Sequence, residues 1–308
     1  NRPSPVIPDL YHDNQAYPAT SNTEKTNLLA KVFASYSQAP LLTPDLHSAG
    51  ILTPTSTVKF SIQPFSVQSV FDTLSRLPIQ RKTAGLLNNR ILRETAEVTS
   101  QSLSALFNRC LLSSTQPREW KSAVVVPVFK GKGNPSHPVN YRPISLLNAV
   151  AKLYESMISR QFYSFVESHK IISSSQFGFC RKRSTVDQLV QLTSIVSRAF
   201  DSKSSCDQLF LDFSKAFDRV SHHLVIQSVS GWCSLSACSW VKDFISDRSI
   251  CVRIGQTLSD PLPITAGVPQ GSHLGPLLFN LCINSFPDAP ASSTLSLFAD
   301  DSNLILVS

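Results

Sequence analysis

Two apolar stretches of the chain end in aspartates. The run Leu209–Leu211 leads directly into Asp212, and a short apolar run of this kind is typical of a buried strand. Residues 295–307 form two β-type runs that are interrupted by Asp300 and Asp301. This pattern predicts a β-hairpin with two adjacent carboxylates at its turn.

The rest of the chain alternates between helical and β patterns. The β-branched run 122–129 predicts a strand, and residues 251–254 with 263–265 predict a hairpin. Segments 1–24 and 38–65 are rich in Pro, Ser and Thr and predict linkers or loops. Apolar residues recur at helical spacing in segments 28–36, 66–74, 88–113, 144–166, 184–200 and 274–284. Helical and β patterns therefore both occur along the chain.

One helix carries a clear start signal. Ser184 followed by Asp187 is a capping-box signature, which predicts that a helix begins there. The apolar residues of this segment, including Val186, Leu189 and Phe200, recur at helical spacing. We expect them to face the core.

The aspartates are the first candidates for chemistry. If the hairpin of 295–307 lies beside the strand that ends at Asp212, then Asp212, Asp300 and Asp301 converge. Carboxylates with open coordination positions suit magnesium and a phosphate substrate, and two such ions can activate a hydroxyl and stabilise a leaving pyrophosphate. A structural alternative stays open, because aspartate also caps helices and favours turns.

Charge is concentrated in one segment. The 308 residues carry a formal net charge of +7 and are 42% hydrophobic, which is enough for a sizeable core. From Arg118 to Arg183 the net charge is +8, so the rest of the chain is nearly neutral. A basic segment of this kind is typical of a nucleic-acid footprint, although a basic surface that only faces solvent has the same composition.

The cysteines and apolar runs indicate an intracellular protein without a membrane anchor. The 7 cysteines include no CxxC pair, which favours reduced thiols over disulfides or zinc. The apolar run Leu274–Ile283 is too short to span a membrane and contains Gly275 and Pro276. The chain begins at Asn1 without Met, so we expect a piece of a longer protein.

Three stretches of the chain form recognisable motifs: Phe210–Asp218, Gly267–Phe279 and Phe298–Asp301. They resemble motifs A, B and C of the reverse transcriptases of non-LTR (LINE-type) retrotransposons. Similarity to the family's fingers motifs and to the segment before motif A lies at 120–121, 140–145, 176–179 and 184–189. The resemblance covers about residues 66–308, and the motifs follow the family's order.

The resemblance implies an α+β fold, that of a right-hand polymerase with fingers and a palm in which an antiparallel sheet packs on helices. It divides the chain into a linker with a short helix at 1–65, fingers with the start of the palm at 66–200, and palm at 201–308. The resemblance places the thumb beyond Ser308, so we expect it to be missing from this chain. We also expect the endonuclease domain that is often N-terminal in such proteins to be absent.

The same resemblance implies the catalytic and metal-binding residues. Asp212, Asp300 and Asp301 would be catalytic, and together with the carbonyl of Phe213 they would bind two Mg²⁺ ions, or Mn²⁺. The implied reaction is RNA-directed DNA synthesis, with an RNA template, a DNA primer and a deoxynucleoside triphosphate (dNTP). The element's own RNA would be bound as a ribonucleoprotein, in the cytoplasm and the nucleus.

The resemblance also implies a nucleotide-binding set. Phe217 would lie under the incoming sugar, where an aromatic ring collides with a ribose 2′-hydroxyl. Gln270 and Gly271 would line the nucleotide pocket at a helix start, where free N–H groups suit a nucleotide. Arg142 and Lys130 would contact the triphosphate. Structural alternatives remain open: a core position for Phe217 and solvent-facing positions for the two basic residues.

Two departures from the family's pattern leave alternatives open. Cys180 replaces the basic or polar residue that usually follows Gly-Phe, and Leu86 follows Gly85 where the family usually has an acidic residue. A truncated or degraded, inactive nucleic-acid-binding remnant is the second hypothesis. An intron-encoded maturase is the third, although the wording of motifs A and B is closer to the retrotransposon type.

Overall fold

The computed structural model describes residues 7–12, 17–38, 59–80, 83–85, 87–284 and 293–308. The helices are α1 (Asn22–Tyr36), α2 (Val67–Ser75), α3 (Asn89–Glu94), α4 (Ala96–Ser113), α5 (Ala149–Ser168), α6 (Thr185–Asp201), α7 (Ala216–Arg219), α8 (His222–Ser230), α9 (Leu235–Ile245) and α10 (Gly275–Ile283). The strands are β1 (Ser122–Phe129), β2 (Tyr141–Leu146), β3 (Cys206–Leu211), β4 (Arg248–Ile254), β5 (Thr257–Leu258), β6 (Leu262–Ile264), β7 (Ser293–Phe298) and β8 (Asp301–Val307). The predicted linkers at 1–24 and 38–65 lie partly outside the described residues.

The strands form two sheets. In the first, β1 pairs with β2 antiparallel and with β4 parallel, and β4 also pairs with β5 and β6. In the second, the order is β3-β8-β7 and all pairings are antiparallel. The segment 201–308 therefore contributes strands to both sheets. The mixed α+β class is as predicted, and so are the hairpin β7–β8 and the antiparallel sheet that contains it.

Helix α5 lies at the centre of the larger hydrophobic core. Its Tyr154 and Phe162 are fully buried, and the ring of Tyr154 lies 5.0 Å from that of Phe107 and 5.4 Å from that of Trp120. The indole N–H of Trp240 donates to the Tyr154 hydroxyl at 3.0 Å. Because buried aromatic hydroxyls need a partner, this bond fixes α9 against α5.

Helix α1 covers the first sheet. It starts with a capping box at Ser21 and buries Leu29 and Phe33 against Val125 and Val252. The predicted short helix is thus present within the segment 1–65. It belongs to a second hydrophobic core and is more than part of a linker.

Two predicted helices have different bounds in the structure. The segment 88–113 is divided at Thr95 into α3 and α4. The segment 144–166 starts as strand β2, and helix α5 begins only after Asn148, whose side chain accepts from two backbone N–H groups. Helical spacing alone did not reveal these breaks, because the short strand and cap segments also carry apolar residues at positions that fit the helical spacing.

Strand β3, which we predicted to be buried, is exposed. Leu209 and Phe210 are 51% and 70% exposed. Among the described strands, β3 is at the edge of its sheet and pairs with β8, and its side chains are exposed on both faces. An apolar run identifies a strand, but it does not determine whether another element covers that strand.

The prediction that the apolar residues of α6 face the core is also wrong. Val186, Leu189 and Phe200 are 63%, 58% and 69% exposed. The buried residues of the helix are instead Gln188 and Ala199. The Gln188 amide donates to the Ser296 hydroxyl at 3.1 Å, so a polar contact attaches α6 to β7.

Among the residues that the structure describes, no helix has the length and apolar character needed to cross a bilayer.

Candidate active site

The second sheet brings the three aspartates to one end. Leu211, the last residue of β3, is opposite Ser302 of β8, so the next residue, Asp212, lies beside the start of β8 at Asp301. Asp300 is in the turn between β7 and β8. The convergence predicted from the sequence is therefore present at the level of the backbone.

The carboxylates influence one another. Burial raises the pKa of Asp300, and the negative charges of Asp301 and Asp212 raise it further. Such mutual repulsion is the condition that a bound divalent cation would relieve, and carboxylate oxygens are its preferred ligands. Within the described part of the chain, however, no three acidic, histidine or cysteine side chains are arranged as ligands of one ion. Metal binding by Asp212, Phe213, Asp300 and Asp301 thus stays a prediction.

A buried glutamine holds the hairpin turn. Gln176 is 1% exposed, and its carbonyl oxygen accepts from the backbone N–H groups of Gly178 and Ala299 at 2.8 and 2.9 Å. The backbone of Phe177 also pairs with Leu297 of β7. The loop at 175–178 is thereby fixed against the residue that precedes Asp300.

Motif A and motif B are joined by direct contacts. The Gln270 amide donates to the Asp218 carboxylate at 2.6 Å. The backbone N–H of Val268 donates to the carbonyl of Phe217 at 2.9 Å. At Gly267, φ is +87° and a Cβ would lie 2.7 Å from the Asp218 carbonyl oxygen, so only glycine fits this approach.

Phe217 lies between two other rings. It stacks on Phe279 with ring centroids 4.2 Å apart, and the ring of Phe179 meets it edge-on at 5.9 Å. Phe217 is partly exposed. This arrangement holds its ring in one orientation at the surface of the core, as both the sugar-reading role and the packing alternative require.

The predicted phosphate contacts lie at the end of the β1–β2 ribbon. Arg142 is opposite Val128, so it shares a face of the ribbon with Lys130 two residues further on. Both are exposed, and the Lys130 ammonium donates to the carbonyl of Val139 at 2.6 Å. Gly271 has φ +82° and approaches the backbone of Ser145 on β2.

Comparison with known proteins agrees with this geometry. Residues 130–308 match the family model described as reverse transcriptase (RNA-dependent DNA polymerase). The chain belongs to the reverse transcriptase family. It is of the type found in LINE-like retrotransposons, because its curated relatives include the polymerases of such elements.

Three relatives of this reverse transcriptase domain come from Drosophila melanogaster. The probable RNA-directed DNA polymerase from transposon BS is 33% identical over 79% of this chain and 28% of the relative. The corresponding protein from transposon X-element is 32% identical over 78% and 27%. The polymerase from mobile element jockey is 31% identical over 72% and 24%. The chain thus spans about a quarter of the length of these relatives.

The reverse transcriptase domain also contains a contact that the sequence did not reveal. The Lys215 ammonium of motif A lies 2.9 Å from the ring centroid of Tyr36, at the end of α1. The carbonyl of the next residue, Ser37, accepts from the N–H groups of Thr265 and Ala266, just before motif B. Helix α1 therefore supports both motifs, although its apolar spacing indicated only packing.

Lys215 is in a strained and electropositive position. Its φ is +55°, a conformation that costs a non-glycine residue on the order of 1 kcal/mol. Burial lowers its pKa, and the charges of Arg219 and Lys130 lower it further, while Asp218 acts in the opposite direction. The positive charge of Lys130 thus acts on Lys215, a residue of motif A.

A buried carboxylate caps the motif B helix of this domain. Glu155 of α5 is 3% exposed and accepts from the backbone N–H groups of His273 and Leu274 at 2.7 and 2.8 Å. Burial raises its pKa, while these hydrogen bonds and the charge of Arg248 oppose the shift. No spacing in the sequence links α5 to α10, so only the structure identifies this cap.

Proposed function

We propose that the chain is the catalytic part of an RNA-directed DNA polymerase. It transfers a nucleotide from a dNTP to the 3′-hydroxyl of a DNA primer that is paired with an RNA template. The observation that carries this proposal is the convergence of Asp212, Asp300 and Asp301 at one end of the second sheet. The relatives named as RNA-directed DNA polymerases support the same reaction.

In this proposal Asp212, Asp300, Asp301 and the carbonyl of Phe213 hold two Mg²⁺ ions, or Mn²⁺. When bound, these ions would activate the primer hydroxyl and stabilise the departing pyrophosphate. The contribution of the chain itself is positional. Gln176 fixes the turn that carries Asp300, so the carboxylates need little reorganisation when charge develops.

The nucleotide-binding residues act around this centre. Phe217, held by Phe279, excludes a 2′-hydroxyl from the space above its ring. Gln270 and Gly271 line the pocket, and Gln270 is held by Asp218. Lys130 and Arg142, on one face of the β1–β2 ribbon, neutralise the triphosphate.

We also propose a division of the chain into subdomains, a template and a location in the cell. The fingers comprise residues 66–200 and the palm 201–308, with 1–65 as linker and helix. The RNA template is the transcript of the element, bound as a ribonucleoprotein. The polymerase works inside the cell, in the cytoplasm and the nucleus, where this transcript and target DNA are found.

The first test is primer extension by the purified chain on an RNA template with magnesium. We expect Asp212→Asn and Asp300→Asn to abolish extension, because each removes a charge from the centre. Asp207→Asn is the matched control, since Asp207 is an exposed aspartate on the same strand, β3, away from the turn. Wild-type rates in either of the first two variants would refute the metal assignment.

A second result would favour the remnant hypothesis. If the wild-type chain binds RNA in a salt-dependent way but never extends a primer, this chain is a binding module without catalysis.

The sugar-reading role of Phe217 has its own test. Phe217→Val removes the ring while keeping an apolar side chain against Phe279. We expect incorporation of ribonucleotides to rise by about 10²-fold relative to deoxynucleotides, since a clash of this kind is worth a few kcal/mol. Unchanged discrimination would leave Phe217 with a packing role only.

A further inference from the structure

A second concave site is lined by Phe179, whose ring also contacts Phe217. It is a cavity of about 470 Å³ between the C-terminal end of α5, the loop 171–183 and helix α10. This volume is within the range of small-ligand sites, about 300–1,000 Å³. Its lining includes none of Lys130, Arg142 and Gln270, so it is separate from the proposed dNTP pocket.

Two asparagines near the C-terminal end of α10 hold the walls in place. Asn284 accepts from the N–H of Ser173 at 2.7 Å and donates to the carbonyl of Ile171 at 2.8 Å. Asn280 donates to the carbonyl of Gly178 at 2.8 Å. The loop is therefore attached to the end of α10 at Ile171, Ser173 and Gly178, which fixes this wall of the cavity.

Asn280 belongs to the wall of the cavity. Its side chain is 1% exposed, and its Nδ2 donates to the carbonyl of Gly178. Its Oδ1 has no hydrogen-bond partner among the described residues and is closed to solvent, so Asn280 holds the wall and does not itself bind a ligand.

The charges around the cavity favour an anion. Lys170, Arg181 and Arg183 line it, against one carboxylate, Glu167. The Arg181–Glu167 pair is long, 3.4 Å, and both side chains are exposed, so it holds Arg181 weakly. Arg183 donates to the carbonyls of Ser173 and Ser174 in the loop.

An aromatic ring completes the lining. Phe179 has φ +55° and is 49% exposed. Such a backbone conformation costs a non-glycine residue on the order of 1 kcal/mol. The exposed ring is available for stacking, and exposed aromatic rings are the usual platforms for unpaired bases.

We propose that this cavity binds one unpaired nucleotide of the RNA template strand. Its phosphate contacts Lys170 and Arg181, and its base stacks on Phe179. The proposal rests on the proposed function, which supplies the RNA. Because Phe179 also touches Phe217, the bound nucleotide is adjacent to the place where the incoming sugar is read.

The half-buried thiol of Cys180 lines the cavity and reports its occupancy. The wild-type chain is alkylated with iodoacetamide at mildly alkaline pH, with and without a saturating single-stranded RNA oligonucleotide, and each cysteine is quantified by mass spectrometry. We expect RNA to slow the alkylation of Cys180 by about tenfold, as for a site occupied most of the time. Cys206 and Cys251, which are similarly exposed but outside the cavity, serve as internal references and should keep their rates.

A pair of variants tests the same cavity by filling it. Cys180→Phe occupies the space and should weaken RNA binding by about tenfold, the scale of one lost base stack. Cys206→Phe is the matched control: it adds the same ring at a half-buried cysteine outside the cavity, and it should bind as the wild type does. The alkylation experiment needs no variant, so it tests whether RNA occupies the cavity even if Cys180→Phe does not fold.

The outcomes separate the two proposals. RNA binding without protection of Cys180 overturns the cavity assignment and leaves the proposed function intact. Equal protection by a dNTP alone assigns the cavity to the incoming nucleotide and overturns the template assignment. Absence of any RNA binding overturns both proposals.

Discussion

One methyl group added at Gly178 should lower both the activity and the stability of the domain. A Cβ built there would lie 2.9 Å from the carbonyl carbon of Phe298 and 3.0 Å from Cα of Ala299, and closer still to the Ala299 nitrogen. All three are backbone atoms of the hairpin that carries Asp300, so no side chain can rotate away. We therefore expect Gly178→Ala to displace the hairpin.

The size of the effect follows from these contacts. Ordinary contact begins near 3.4 Å, so the hairpin has to move by roughly 1 Å, a displacement that costs a catalytic site on the order of 10²-fold in rate. The accompanying loss of folding free energy should be about 1–3 kcal/mol, the usual cost of overpacking. The measurements are single-nucleotide primer extension and urea unfolding of the same preparations.

The control is another glycine. Gly255, in the turn after β4, has φ +60° and no atom within 4 Å of a built Cβ. Gly255→Ala should lose about 1 kcal/mol through backbone strain alone and keep its activity. If folded Gly178→Ala extends primers within about twofold of the wild type, the reasoning about a 1 Å displacement is refuted.

Two further predictions concern the supports of motifs A and B. Glu155→Ala should lower the free energy of unfolding by about 2 kcal/mol, because the N–H of buried Leu274 loses its acceptor, whereas Glu155→Gln keeps an acceptor oxygen. Because burial raises the pKa of Glu155, the folded state binds its proton more tightly than the unfolded chain does. The wild type should therefore lose stability relative to Glu155→Gln as pH rises from 4.5 to the higher native pKa. A constant difference between the two proteins in urea unfolding across that range would contradict this. Tyr36→Phe removes only an unpartnered hydroxyl and should leave the KM for dNTP unchanged, whereas Tyr36→Ala removes the ring beneath Lys215 and should raise it severalfold. Equal KM values in the two Tyr36 variants, measured by steady-state extension, would exclude a positioning role for the ring.

The sequence predicted the parts of the site that depend on short-range pattern. The hairpin at Asp300 was predictable because alternation and a turn dipeptide leave a local trace. Its pairing with the strand that ends at Asp212 followed from the chemistry that three carboxylates would share. The structure adds the register, in which Leu211 is opposite Ser302.

The supports of the site could not be predicted, because they join distant segments through single side chains. Gln176 in a loop holds the turn at Ala299, and Tyr36 at a helix end lies against Lys215. Neither contact has a periodicity or a spacing that a sequence displays. The exposure of Phe210 was mispredicted for a related reason, since an apolar residue does not specify what covers it.

The parallel pairing of β1 with β4 has a consequence for how the chain acquires its structure. Ser122 is paired with Ser249, and helices α5 to α9 lie between them in the sequence. During synthesis the β1–β2 ribbon therefore emerges long before β4, and its unpaired edge is open to other chains. Closing so long a loop is slow. Expression at low temperature or with chaperones should therefore increase the yield of folded protein more than any stabilising substitution within β1 itself.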